Sequence, residues 1–327
     1  MLKSYEYTEQ SYSGMHLQDY LLRDKEIDIA KRFSEKYGHR GTWTENCPVC
    51  GRHAGKYFFT KWKVDYLYCK ECASIYASCD HGLVKRYQKE EELLDLRRSS
   101  VFQEEITKRR MERWKEFLEW MQIRAFRFLG RNKGLAIADI GNRYRDYVKL
   151  IRESELCGAY RLVDSILEGM EGLDTGTENM EKGQADLVFY FDRMQQETAL
   201  KERLSGISEW LGKDGLLVLE TRAGSGFDIL TLKEHNRKIY PYEHVVLPSV
   251  RGLVHLLEEN NFRVLEITTP GVMDVHYVME AKNLLDDSGL FVKFLMEADD
   301  SVLQEFQRFL QKNGMSSFVR VIAAKEN

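Results

Sequence analysis

The chain has 327 residues, 48 Lys and Arg against 52 Asp and Glu for a net charge of −4, and 43% hydrophobic residues. That balance argues against a general polyanion binder and against global disorder, and the length predicts about two domains around a sizeable core. No apolar run of ~18 residues is long enough to span a bilayer, and the opening MLKSYEYTEQ lacks the apolar stretch of a signal peptide, so a soluble cytoplasmic protein is expected.

Residues 1–42 read as an N-terminal helical segment, with Leu17, Tyr20, Leu21, Ile27, Ile29, Ala30 and Phe33 at roughly helical spacing before Gly38 and Gly41. In residues 43–82 the aromatic runs at Tyr57-Phe58-Phe59 and Tyr66-Leu67-Tyr68 predict short strands, in a unit too small to hold together without a staple. Cys47-Pro-Val-Cys50 and Cys69-Lys-Glu-Cys72 supply one. Each CxxC turn puts two thiolates near one point, so the pair completes a tetrahedral zinc site with no position left for water, which makes the metal structural. Cys79 and His81 are expected to lie outside it, and Cys157 to be a small buried residue.

Residues 83–130 lack Pro, and Trp114, Phe117, Leu118, Met121, Ala125 and Leu129 recur at three and four, which predicts one long helix or two as a linker. The cations Arg97, Arg98, Lys108, Arg109 and Arg110 are interleaved with Glu, so a solvated helix face is expected there rather than an anionic-ligand surface.

From 131 to 327 strand-like and helix-like segments alternate, predicting a parallel sheet covered by helices. LAIADIG (135–141), AYRLVD (159–164), ADLVFYF (185–191), LLVLETR (216–222) and FRVLEITT (262–269) read as strands, with a final strand in SSFVRVIAAK after a helix near 300–312. The stretch ILEGMEGLDTGTENMEKG leaves a third strand poorly defined, Gly212-Lys213-Asp214-Gly215 reads as a turn, and DVHYV around His276 as a strand. Asp139-Ile-Gly141 ends one strand and Asp164 the next; in a doubly wound sheet such an acid grips ribose hydroxyls, although a purely architectural β-α-β unit remains open.

Asp139-Ile-Gly141 followed by a helix and Asp164 resembles the first two motifs of class I S-adenosylmethionine-dependent methyltransferases, a Rossmann-like α/β fold. The segments Thr221-Arg-Ala-Gly-Ser-Gly-Phe-Asp228, Glu243-His244 with Ser249, Thr269-Pro-Gly-Val-Met-Asp274 and Met315-Ser-Ser317 resemble methyltransferases encoded with bacterial cell-surface glycan genes. The cysteine-rich head with a Glu-His pair is similar to sugar C-methyltransferases that carry an N-terminal zinc domain. The resemblance implies methyl transfer from S-adenosylmethionine to a sugar or sugar-nucleotide acceptor in glycan biosynthesis. It implies Asp139, Gly141, Asp164 and Asp192 for the cofactor, His244 as base with Glu243 orienting it, and Phe227, Asp228, Tyr242, Asp274 and His276 along the acceptor. Helix capping for His244, and structural roles for Asp274 and His276, stay open beside these.

The family's glycine loop reads roughly D-x-G-x-G-x-G, whereas Arg143 and Arg145 stand where glycines are expected. Those glycines let backbone approach the cofactor without a Cβ in the way, so cofactor binding is expected to be weakened, altered or lost, and an arginine there can meet a carboxylate or phosphate instead. Two alternatives follow: a non-catalytic binding or assembly module of the same fold, with a homo-oligomer or protein partner on its N-terminal helices, and a nucleic-acid methyltransferase, against which the net charge argues.

Overall fold

A computed structural model describes residues 6–7, 21–39, 46–167, 180–286 and 289–326. Leu17, Tyr20, Gly41 and residues 168–179 of the glycine-rich stretch lie outside them.

After the two-residue strand β1 (Glu6–Tyr7), helix α1 (Leu21–Tyr37) leads to three antiparallel strands, β2 (Gly55–Lys61), β3 (Val64–Cys69) and β4 (Ile75–Ser78). The predicted linker helix is three helices, α2 (His81–Gln88), α3 (Glu91–Arg98) and α4 (Ser100–Leu129). Local chemistry sets these breaks. Asp80 caps α2 by accepting from the Gly82 and Leu83 amides, Ser99 caps α4 by accepting from Phe102, and Gly130, at φ 71°, ends α4 in the left-handed region. The predicted apolar stripe of α4 is buried at Trp114, Phe117, Leu118, Met121 and Ala125.

The remainder alternates as expected: β5 (Leu135–Ile140), α5 (Arg145–Glu153), β6 (Cys157–Val163), β7 (Ala185–Phe191), α6 (Leu200–Trp210), β8 (Leu211–Arg222), α7 (Phe227–Leu232), β9 (Val246–Leu247), α8 (Val250–Glu259), β10 (Phe262–Thr268), α9 (Asp274–Ala281), α10 (Leu290–Leu295), α11 (Asp300–Lys312) and β11 (Phe318–Lys325). The main sheet runs β1-β10-β11-β8-β7-β5-β6, with β11 antiparallel to both neighbours and β5, β6, β7 and β8 parallel. Parallel strands covered on both faces read as continuous apolar runs, and β7 is buried at Ala185, Leu187, Val188, Phe189 and Tyr190. A parallel sheet with its last strand inserted antiparallel beside β8 is the Rossmann-like arrangement expected of a class I methyltransferase.

Four expectations are corrected. Gly212 to Gly215 make no turn between elements; they form an irregularity inside β8, where Ala185 pairs with Leu211 and Leu187 with Leu216. His276 is on a helix, α9, because its apolar neighbours Val275 and Val278 pack on one side at a spacing of three. Arg97 is no solvated helix residue but is buried in ion pairs with Glu26 and Glu243. Cys157 is half-buried rather than enclosed.

The small sheet is β2-β3-β4-β9, so its fourth strand comes from residues far along the chain. Around that pairing Ser249 caps α8, donates its hydroxyl to the Cys72 carbonyl and its amide to Ser74 Oγ at 3.0 Å. Gly252 fits beside Ser74 because a Cβ there would stand 2.6 Å from that oxygen.

Candidate functional site

The four cysteines of the two CxxC turns are buried and their Sγ atoms lie within 4.8 Å of one another. Cys47 and Cys72 are 3.6 Å apart, as are Cys50 and Cys69. Zinc–sulfur bonds of about 2.3 Å in a tetrahedron require sulfurs roughly 3.8 Å apart. The donor set therefore fits a soft tetrahedral cation, and it is closed. Cys79 is not part of the cluster.

At the carboxyl edge of the main sheet, β5, β7 and β8 deliver Arg143 and Tyr144, Asp192 and Gln195, and Arg222 to a cavity of about 110 Å³. The helices contribute Glu26, Arg97, Phe102, Glu105, Arg110 and Arg113, and the segment before β9 contributes Tyr240, Glu243 and His244. Five arginines thus face four acids. Of the residues named from the sequence, Glu243, His244 and Asp192 meet here; Asp139, Gly141 and Asp164 are not in its lining.

Glu243 is committed to its neighbours. Its Oε2 accepts from Arg97 at 2.9 Å and its Oε1 from Arg143 at 2.9 Å and from Gln196. Burial opposes the charge, but Arg97 and Arg143 outweigh it and hold the carboxyl well below the usual carboxylate range. Arg97 also reaches Glu26 at 2.7 Å and Arg143 reaches the Asp192 carbonyl at 3.1 Å. Buried Gln103 ties this group to the loop, donating to the Arg97 and Arg143 carbonyls and accepting from the Arg145 amide. His244 Nδ1 accepts from the Tyr240 amide at 3.3 Å, its carbonyl accepts from Tyr66, and its ring packs edge-on against Tyr240. Asp192 takes Arg110 at 3.3 Å and the Tyr144 hydroxyl at 3.4 Å. Burial again opposes its charge, and Arg110, Arg113, Arg143 and Arg222 together lower its pKa.

The strand-ending residues named for a cofactor are arranged differently. Asp139 is fully buried, with one carboxylate oxygen held by Asn142 at 2.6 Å and Tyr160 at 2.7 Å and the other without a partner. Burial pushes it up to about 6. Gly141, at φ 75°, has its open side filled by Arg193: a Cβ there would lie 2.9 Å from the arginine's Cγ and 3.0 Å from its Nε. The Arg193 guanidinium forms no hydrogen bond or ion pair among the described residues, and burial, then Arg143, push it down to about 10. Asp164 is 63% exposed in its side chain and paired with Arg203 at 2.9 Å.

The residues named for an acceptor lie elsewhere. Tyr242 is in the core against Phe33 and Tyr87, and Phe227 packs edge-on against Phe306. His276 faces Glu280 one turn on, at 3.2 Å. Asp228 and Asp274 form a buried acid pair joining α7, α9 and the start of β11. Asp274 accepts from Gln307, Ser316 and the Ser317 amide, and Asp228 from Asn236 at 3.0 Å. Burial, then Asp274, push Asp228 up to about 7. A raised folded pKa favours the protonated folded state, so this group's stabilisation is full below its unfolded value and is lost as pH rises through about 7. Asp228→Asn is expected to remove up to about 1.4 kcal/mol per pH unit of that slope between roughly pH 4 and 7. Denaturant midpoints of both proteins at pH 5 and pH 8 check this; an unchanged difference between the two pH values rejects it.

Sequence reasoning missed Glu26, Gln103, Gln196 and Arg193, and took Arg97 for a surface residue. No local pattern marks them; Arg193 alone carried a positional hint, standing directly after the strand-ending Asp192.

No protein-family model matches the chain, and no curated protein matches it. Among solved structures, a geranyl diphosphate methyltransferase in complex with SAM aligns at 13% identity over 70% of this chain and 92% of that one, with a TM-score of 0.41. A SAM-dependent methyltransferase from Archaeoglobus fulgidus aligns at 17% identity over 64% and 94%, with a TM-score of 0.38. The [4+2]-cyclase SpnF aligns at 10% identity over 63% and 80%, with a TM-score of 0.37. Likenesses of this size assign no activity, and the fold rests on the strand order itself.

Proposed function

We propose that this chain is a binding protein of the cytoplasm built on the methyltransferase sheet, holding a sugar or nucleotide-sugar ligand of glycan biosynthesis at the carboxyl edge, with zinc as a structural ion in its four cysteines. The observation that carries the reading is the Arg193 side chain lying across Gly141, on the open side of the glycine by which a cofactor would approach the loop backbone. As they stand, these residues do not fit that cofactor. Two further groups support the reading: Asp139 is sealed from the surface, and Glu243 is held by two guanidiniums and an amide, which suits a structural carboxylate rather than a base. The sugar class comes from the glycan-associated segments, of which Thr221–Asp228 puts Arg222 in the cavity wall while Thr269–Asp274 builds packing.

Methyl transfer to such a sugar is the second reading, and Asp164 favours it. Its exposed carboxylate at the end of β6 stands where an acid takes ribose hydroxyls. Calorimetric titration of folded, zinc-loaded protein with S-adenosylmethionine and S-adenosylhomocysteine separates the two. No binding up to about 1 mM, weaker than roughly 4 kcal/mol, is expected. Micromolar binding that Asp164→Ala abolishes would establish the methyltransferase instead.

A further inference from the structure

We infer that Arg193 is the anchor for a phosphate group, and that the ligand of this chain is therefore a phosphorylated one, seated over the Gly141 loop. This deepens the binding-protein reading and rests on it.

An unpaired guanidinium in a partly enclosed position is costly unless something restores its lost hydration. Every other arginine of this cluster has a protein partner: Arg97 has Glu26 and Glu243, and Arg143 has Glu243 and the Asp192 carbonyl. Arg193 has none among the described residues. Arg193 thus adds a guanidinium with no bonded carboxylate beside a cavity whose lining already holds five arginines against four acids. The loop adds donors of its own. The Asn142 and Arg143 amides, in the loop before the Tyr144 cap of α5, make no hydrogen bond among the described residues. A guanidinium fork and backbone amides are donors of the kind that a tetrahedral oxyanion with several acceptor oxygens takes. Arg193 as a residue is partly exposed. Gly141 is what allows the long side chain to cross the loop, since any Cβ would displace it.

The test is calorimetric titration of the full, zinc-loaded chain with inorganic pyrophosphate and with uridine diphosphate at low ionic strength. Both are expected to bind, with affinity falling as salt is added. Arg193→Met is expected to weaken both by about tenfold or more, the loss of a charge-assisted hydrogen bond. Arg193→Lys should recover part of the loss, and Arg251→Met, which removes an exposed arginine beside Glu71 on the cysteine-bearing face, should bind as the parent does. Removing an unpaired charge should leave the melting temperature of Arg193→Met no lower than the parent's, which separates lost binding from lost folding. Equal affinity in Arg193→Met, or no binding of either probe by the parent chain, overturns the inference. Neither result requires S-adenosylhomocysteine to bind, so failure here is distinct from failure of the binding-protein reading.

Discussion

Glu243→Ala is expected to destabilise the protein by about 3–5 kcal/mol, the scale for removing one partner of a buried ion pair and stranding the others. Arg97 is 3% exposed and Arg143 is 8% exposed, so neither guanidinium can turn to water when the carboxylate is gone. The loss should spread, because Arg97 belongs to α3, Arg143 to the loop after β5, and Gln196 to the loop after β7. Its pH dependence follows from the depressed pKa. The ion-pair stabilisation is present above the unfolded carboxyl value and is lost as pH falls through the folded one. The deficit of the variant is therefore expected to be largest near neutrality and to shrink in acid. Chemical denaturation at pH 7 and pH 4 measures both; a loss below about 1 kcal/mol at pH 7 would mean that the cluster is balanced by other groups.

Metal removal is expected to have the largest effect of all. Structural zinc in small peptides contributes on the order of 10 kcal/mol to folding, and here the four thiolates also fix the turn that Ser249 grips through the Cys72 carbonyl. Chelation under reducing conditions, or Cys50→Ser, should melt β2 to β4 and release β9 and the start of α8 with them. Elemental analysis is expected to find one zinc per chain, and the melting temperature should fall sharply on chelation. A metal-free, reduced protein with an unchanged melting temperature would remove zinc from the account.

The fold was legible where period and punctuation agree. The alternation from 131 onward, the CxxC pairs and the apolar stripe of α4 each follow from local spacing. His276 misled because Val275, Tyr277 and Val278 suit a strand as readily as a short helix, and the choice is made by what they pack against. The site was less legible for the same reason at longer range. Asp192 and Glu243 were named by position, but their surroundings depend on arginines that reach them from 49 to 146 residues away. Pairings of that length leave no mark on local sequence. Arg143, read as an obstacle to a cofactor or as a contact for an anion, turns out to have a partner inside the protein, and it is Arg193 that crosses the loop.

The pairing of β4 with β9 sets a sequence in time. Ser74 and Ser249, which meet beside the cysteine cluster, are 175 residues apart along the chain. During synthesis at roughly 5–20 residues per second, the cysteine segment leaves the ribosome about ten seconds or more before its fourth strand exists. Metal is therefore the first cross-link available to it, and the segment waits with the exposed edge of β4 until the distant strand arrives.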